Sequence, residues 1–215
     1  TMRSVNPSQH EAQINAVKEI AGKQEVVELH LASTNIQDHG ATEISQIQGL
    51  RTLNLGNSLN KITADGAYAI AQMREITDLN LSHNEMGASG AGNIAHMKGI
   101  VCLNLSVNAI GDEGAGSIAH MKGVVRLDLF WNQIGDAGAQ ELANMKGVTH
   151  LRLSWNQIGD EGAGRIAQMK GLVHLDLSMN RIGDAGAQSM AQMRDLMDLD
   201  LSHQSAQIVS FCRGS

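Results

Sequence analysis

Leucine and polar residues alternate in short bursts along this chain, as in VVRLDLFWN (124–132) and LVHLDLSMN (172–180). The last leucine of each LxL falls at 31, 55, 81, 105, 129, 153, 177 and 201. The step is 24 residues throughout, except for 26 between 55 and 81, where two extra residues sit near Ser58-Leu59. In Leu127-Asp128-Leu129 the leucines face one way and the aspartate the other, which predicts a strand. In four units the burst is followed by NxIGDxGA (from 108, 132, 156 and 180), then by IA, LA or MA and a methionine, a spacing that predicts a short helix. Eight strand–turn–helix units over residues 26–204 follow, and a fixed period of this length means stacked repeats.

Conserved chemistry within the unit is readable from its offsets. Asn132 and its equivalents Asn84, Asn108, Asn156 and Asn180 are placed to bond free backbone groups in the turn and along the stack. Asp112, Asp136, Asp160 and Asp184 are expected to N-cap the helix that each one begins. Met73, Met97, Met121, Met145, Met169 and Met193 keep strict register, so they predict core packing. Arg74, Lys98, Lys122, Lys146, Lys170 and Arg194 come next and complement the helix C-terminus. Gly99, Gly123, Gly147 and Gly171 are expected to be left-handed C′ residues. Gly114 and Gly116 are expected to let neighbouring helices approach closely.

The ends must cover the core of the terminal units. Ser8-Gln9-His10-Glu11 fits a capping box, with Ile14, Val17, Ile20 and Ala21 on one helical face. Residues 1–25 are therefore expected to form an N-terminal capping helix, its helical part spanning 8–23. Residues 205–215 are expected to form an irregular tail.

The recurring LxxLxLxxN resembles the leucine-rich repeat family, and the resemblance covers residues 26–204. The unit tails GDEGAGSIA, GDAGAQELA, GDEGAGRIA and GDAGAQSMA resemble the bacterial GALA-type variant, found in proteins that pathogens such as Ralstonia and Legionella inject into host cells. The resemblance implies an α/β horseshoe solenoid, with a parallel sheet on the concave face and short helices on the convex face. It also implies a non-enzymatic module that grips a folded protein, either a host protein or another effector inhibited by occlusion. An adaptor recruiting substrates to a ubiquitin-ligase-type assembly is the alternative. Thr34 and Gln204 depart from the pattern, standing where five other units have asparagine, and the second unit departs through its two-residue insertion.

Composition narrows the choice. The 215 residues are 42% apolar and 18% charged, ordinary for one folded domain. A formal charge of −6 argues against a surface that tracks nucleic-acid phosphates. No apolar run approaches the ~18 residues of a membrane span. Two cysteines, Cys102 and Cys212, imply no disulfide framework and a reducing, cytoplasmic setting, with delivery to a host cytosol implied by the resemblance. No cofactor is expected, since no phosphate-cradling glycine motif is present. Nor is a catalytic constellation apparent around Cys102.

Candidate binding residues lie on the open sheet face. The outermost ladder across units is Ser33, Asn57, His83, Val107, Trp131, Trp155, Met179 and His203, and Phe130 stands where five other units have serine. Three of the five aromatic residues thus fall on neighbouring strands. Phe130, Trp131, Trp155, Met179 and Val107 are expected to form an exposed apolar patch that anchors a protein partner, although the tryptophans could instead only shield the sheet edge. Beside them runs a mixed-charge band containing Arg126, Asp128, His150, Arg152, His174 and Asp176, which either orients the partner or only pairs across strands. His150, His174 and Asp176 are neighbours, but ligands on a flat ladder point in parallel, so no metal site is expected.

Overall fold

The computed structural model describes residues 26–56 and 60–204, together with Ala12, Asn15, Ala16 and Glu19, which are helical. Apart from those four positions, the expected N-terminal cap lies outside the described residues, as do Asn57 and the tail 205–215.

Eight three-residue strands form one parallel sheet in chain order: β1 (Glu28–His30), β2 (Thr52–Asn54), β3 (Asp78–Asn80), β4 (Cys102–Asn104), β5 (Arg126–Asp128), β6 (His150–Arg152), β7 (His174–Asp176) and β8 (Asp198–Asp200). The middle leucines pair directly, from Leu29 with Leu53 through to Leu175 with Leu199. Between the strands run seven helices: α1 (Gln37–Ile44), α2 (Ala64–Ile70), α3 (Gly87–Ile94), α4 (Gly111–Ile118), α5 (Asp136–Leu142), α6 (Asp160–Ile166) and α7 (Asp184–Met190). Strands stack at about 4.8 Å, whereas packed helices need about 8–10 Å. The sheet must therefore take the inside of a curve and the helices the outside.

A single core runs the length of the stack. In the fifth unit it comprises Leu127, Leu129, Ile134, Ala139, Leu142 and Met145, all buried. The methionines pack as their period predicts: Met73 through Met169 are buried and Met193 is partly so. Gly114 allows close helix stacking, since a Cβ there would sit 2.7 Å from Ile110 Cβ and 3.1 Å from Ala91 Cβ. Gly116 does not: its nearest neighbour would be Glu141 Cγ at an ordinary 3.7 Å.

The turn asparagines bind the units together. Asn132 Nδ2 donates to Leu105 O and Phe130 O, while its Oδ1 accepts from Asn108 N and Ile110 N of the preceding unit. Gln204 reproduces this with its longer amide, accepting from Ile182 N and donating to Leu177 O and Leu201 O. In the second unit the insertion moves the role to Asn60, fully buried and donating to Leu31 O and Leu55 O.

The aspartates cap helices, but not their own. Asp136 Oδ1 accepts from Gly159 N (2.7 Å) and Gly162 N (2.9 Å), at the start of the following helix α6. Asp112 does the same for α5 and Asp160 for α7. Asp38 serves α2 through Thr63 and Gly66. Asp184 opens α7, and no later helix lies among the described residues for it to cap. The caps are thus repeat-to-repeat fasteners, and their effect on the backbone is visible. Where the preceding unit supplies the carboxylate, Gly135, Gly159 and Gly183 are extended N-caps. Where it supplies Ala64 or Ala88 instead, Gly87 and Gly111 turn left-handed, with φ of +58° and +60°.

Asp136→Ala should lower stability by about 1 kcal/mol. Amide exchange should accelerate at Gly159 and Gly162 in α6, and faster exchange confined to α5 would refute capping across units.

Gly99, Gly123, Gly147 and Gly171 have the expected positive φ. They come later than C′, however. The helix ends in an αR cap such as Ala119, Met121 N bonds Ile118 O, and Gly123 turns the bend that follows.

Candidate functional site

The site begins with a backbone peculiarity. Ser33, His83, Val107, Trp131, Trp155, Met179 and His203 all have φ between +50° and +59°. From Ser33 to Met179 the N–H at each of these positions donates to a carbonyl one unit on, Val107 to Phe130 O at 2.8 Å, Trp131 to Ser154 O and Trp155 to Ser178 O at 3.0 Å. His203 holds the same conformation with no later unit among the described residues. A left-handed backbone is unfavourable for bulky residues and most of all for a β-branched one such as Val107. Tryptophan and valine are therefore costly occupants of a ladder where asparagine or glycine fits best.

Of the predicted apolar patch, Trp131 is 52% and Trp155 46% exposed, while Phe130, Val107 and Met179 are half-buried. The three aromatic rings form a triangle. Trp131 and Trp155 lie 5.6 Å apart between centroids, tilted by 36°. Phe130 meets both edge-on at 6.2 and 6.4 Å. A hollow of about 370 Å³ opens beside Trp131, with Val107, Ala109 and Glu85 in its lining.

Arg152 ties this triangle to the sheet. Its guanidinium carbon lies 4.5 Å from the centroid of Phe130, over the ring, an arrangement favoured by the ring quadrupole. Its Nη1 is 3.5 Å from Asp128 Oδ2 and its Nε 3.1 Å from Asp176 Oδ2. Phe130 itself creates the opening. In the next two units Ser154 and Ser178 donate their hydroxyls to Asp176, whereas Phe130 has none to give and Asp128 Oδ2 takes Arg152 instead.

Burial opposes ionisation of Asp176, but the hydroxyls of Ser178 and Ser154, the Ser178 N–H and Arg152 outweigh it and hold its carboxyl below the usual carboxylate range. A depressed folded-state value means that the contribution of this group to stability is present above the ordinary range. It is lost only as pH falls through the depressed value.

His150 and His174 stack at 4.4 Å with their planes 24° apart. Nδ1 of His150 shares a hydrogen bond with Thr149 Oγ1 at 2.8 Å, and Nδ1 of His174 lies 3.5 Å from Asp198 Oδ2. Among the described residues no group of three or more His, Cys, Asp or Glu could hold a metal ion.

Arg126 lies apart from Arg152's network and donates to Cys102 Sγ at 2.6 Å. Burial and a hydrogen bond to Asp78 push the Cys102 thiol up, and the same bond lowers the Asp78 carboxyl. Cys102 is thus a poor nucleophile despite facing the groove. Its alkylation by iodoacetamide at about pH 8, followed on the Cys102-containing peptide by mass spectrometry, should be at least about threefold slower than that of free cysteine. Asp78→Asn should accelerate it. A rate above that of free cysteine would contradict this assignment.

Cys102, Arg126, Asp128, His150, Arg152, His174 and Asp176 line one concave groove of about 590 Å³ that extends from His30 on β1 to Asp200 on β8, while Trp131 and Val107 line the separate hollow at the strand ends. Sequence reasoning missed Asn60, because the insertion displaced it from the common offset, and the left-handed ladder, because no residue type there announces it.

The Leucine Rich repeat family matches at residues 49–71, 73–95, 100–119, 124–143, 148–167 and 172–191, and the chain belongs to that family. No curated protein sequence matches it. Among solved structures it is similar to an internalin C2 from Listeria monocytogenes, with 15% identity and a TM-score of 0.57 over 92% of this chain and 93% of that one. It is also similar to the plant peptide hormone receptor RGFR1 in complex with RGF2, with 16% identity and a TM-score of 0.54 over 87% of this chain. The chain spans 33% of the receptor's length. At these identities the likeness is one of fold. Among the described residues no helix is long and apolar enough to cross a membrane.

Proposed function

We propose that this protein is a non-enzymatic binding module whose concave face grips a folded protein, with Trp131 and Trp155 as anchors. The observation that carries the reading is the aromatic triangle, two of whose rings, Trp131 and Trp155, stand half exposed at left-handed positions that are costly for bulky side chains. Tryptophan contributes large contact area with few rotors, and such residues dominate binding energy at the centre of interfaces. Val107 and Met179 extend the apolar contact, while Arg126, Asp128, His150, Arg152, His174 and Asp176 orient the partner. The peptide hormone receptor of similar fold, solved in complex with RGF2, lends support by example.

A preformed arc loses little entropy on docking and covers whatever its partner presents. Inhibition by occlusion is therefore the mode we favour. The GALA-like unit tails support a bacterial effector acting in a reducing cytosol, on a host protein or on another effector.

Affinity capture from host and bacterial lysates tests the reading when three baits are compared: wild type, Trp131→Ala/Trp155→Ala, and Tyr68→Ala on the convex helix α2, where Tyr68 is 61% exposed. A protein retained by wild type and Tyr68→Ala but lost by the tryptophan variant is the expected result. Loss with Tyr68→Ala alone would move the interface to the helices.

A further inference from the structure

Two residues of every strand point into the groove, flanking the middle leucine, and their charge is unevenly distributed. Across the eight strands they comprise six carboxylates (Glu28, Asp78, Asp128, Asp176, Asp198 and Asp200) against two guanidinium groups (Arg126 and Arg152). Both arginines are already engaged, Arg152 between Asp128 and Asp176, and Arg126 on Cys102. The charge left without a cation among the described residues collects on β8, where Asp200 pairs in register with Asp176 and Asp198 lies 3.5 Å from His174 Nδ1.

The fold does not require that charge. At the last position of six of the eight strands the side chain accepts a backbone N–H from two residues ahead: Asn54 from Gly56, Asn80 from Ser82, Asn104 from Ser106, then Asp128 from Phe130, Asp176 from Ser178 and Asp200 from Ser202, with His30 and Arg152 in the other two. Asparagine performs the structural task in three units. Aspartate performs it in three others and adds a negative charge. Setting two carboxylates at directly paired positions, as in Asp176 and Asp200, is unfavourable for the sheet. The surplus charge is thus a property of the groove as a docking face.

We infer that the partner segment lying in this groove is cationic at the β7–β8 end, a deepening that rests on the concave-face reading above. The occupant is an extended segment displayed by the folded partner and crossing the strands. Its apolar anchor packs against Trp131 and Trp155, and its Arg or Lys side chains reach Asp198 and Asp200. From β6 to β8 is two strand spacings, about 10 Å, so the cations follow the anchor by about three residues of extended chain. Complementary charge speeds encounter and rejects acidic competitors.

Phage-displayed random dodecapeptides selected on the immobilised protein at low salt (about 50 mM) provide the test. Each enriched peptide is then synthesised and titrated against wild type, Asp198→Asn/Asp200→Asn and Trp131→Ala/Trp155→Ala. Asparagine at 200 keeps the bond to Ser202 N, as Asn104 does to Ser106 N, so the acidic-end variant retains its fold. The expected result is enrichment of Arg and Lys beyond an apolar anchor, with affinity falling about tenfold in the asparagine variant and the difference shrinking at about 0.5 M salt. Peptides lost by the tryptophan variant but neutral or acidic, and unaffected by the asparagine changes, would overturn the charge inference and leave the concave-face reading standing. A selection yielding no binder sensitive to the tryptophans would overturn both.

Discussion

Trp131→Ala combined with Trp155→Ala is expected to weaken partner binding by at least about a hundredfold while leaving the protein folded. Central tryptophans in an interface contribute about 2 kcal/mol or more each, and 1.4 kcal/mol corresponds to about tenfold in affinity. Their contribution to folding is much smaller. Both rings are about half exposed, and what the fold loses is their contact with each other and the edge contacts of Phe130. Such aromatic contacts amount to about 1 kcal/mol. A calorimetric titration beside a urea unfolding curve separates the two quantities. Wild-type affinity in the double variant would show that the aromatic triangle merely shields the sheet edge.

The opposite signature is expected at Asn132, which is fully buried and touches no solvent. Asn132→Ala removes the side-chain acceptor for Asn108 N and Ile110 N. Leu105 O keeps its bond from Asn108 Nδ2, and Phe130 O keeps that from Val107 N, so the damage centres on the two orphaned amides. An unpaired buried amide costs about 1–3 kcal/mol. A loss of about 3 kcal/mol in unfolding free energy follows, measured by urea denaturation. Because each repeat contacts only its neighbours, the lesion also separates the stack into halves and should broaden the transition. A change below about 1 kcal/mol would mean that water or a shifted backbone satisfies those amides.

These two sites also mark what a linear reading of the chain can and cannot reveal. The strand leucines, the buried methionines and the turn asparagines were legible because each acts at a fixed offset within its own unit. Asp136 was misassigned because it works across units, on Gly159 and Gly162. A cap supplied from 23 residues away has the same local sequence as one supplied in place. The left-handed backbone at Val107 and Trp131 was hidden because it recurs at this position of the unit whatever the residue type, from Ser33 to His203. On the groove, the adjacency of Phe130, Trp131 and Trp155 followed from the period alone. Arg152's double pairing and its place over Phe130 depend on side-chain direction, which spacing leaves open.

Fluorescence quenching by acrylamide tests the central claim most directly, because Trp131 and Trp155 are the only two indoles in the chain. In the free protein both should be readily quenched. Saturation with a captured partner that itself lacks tryptophan, or has been labelled to separate its emission, should lower the quenching constant several-fold as the partner covers both rings. Unchanged quenching under a saturating partner would place the contact elsewhere and contradict the account.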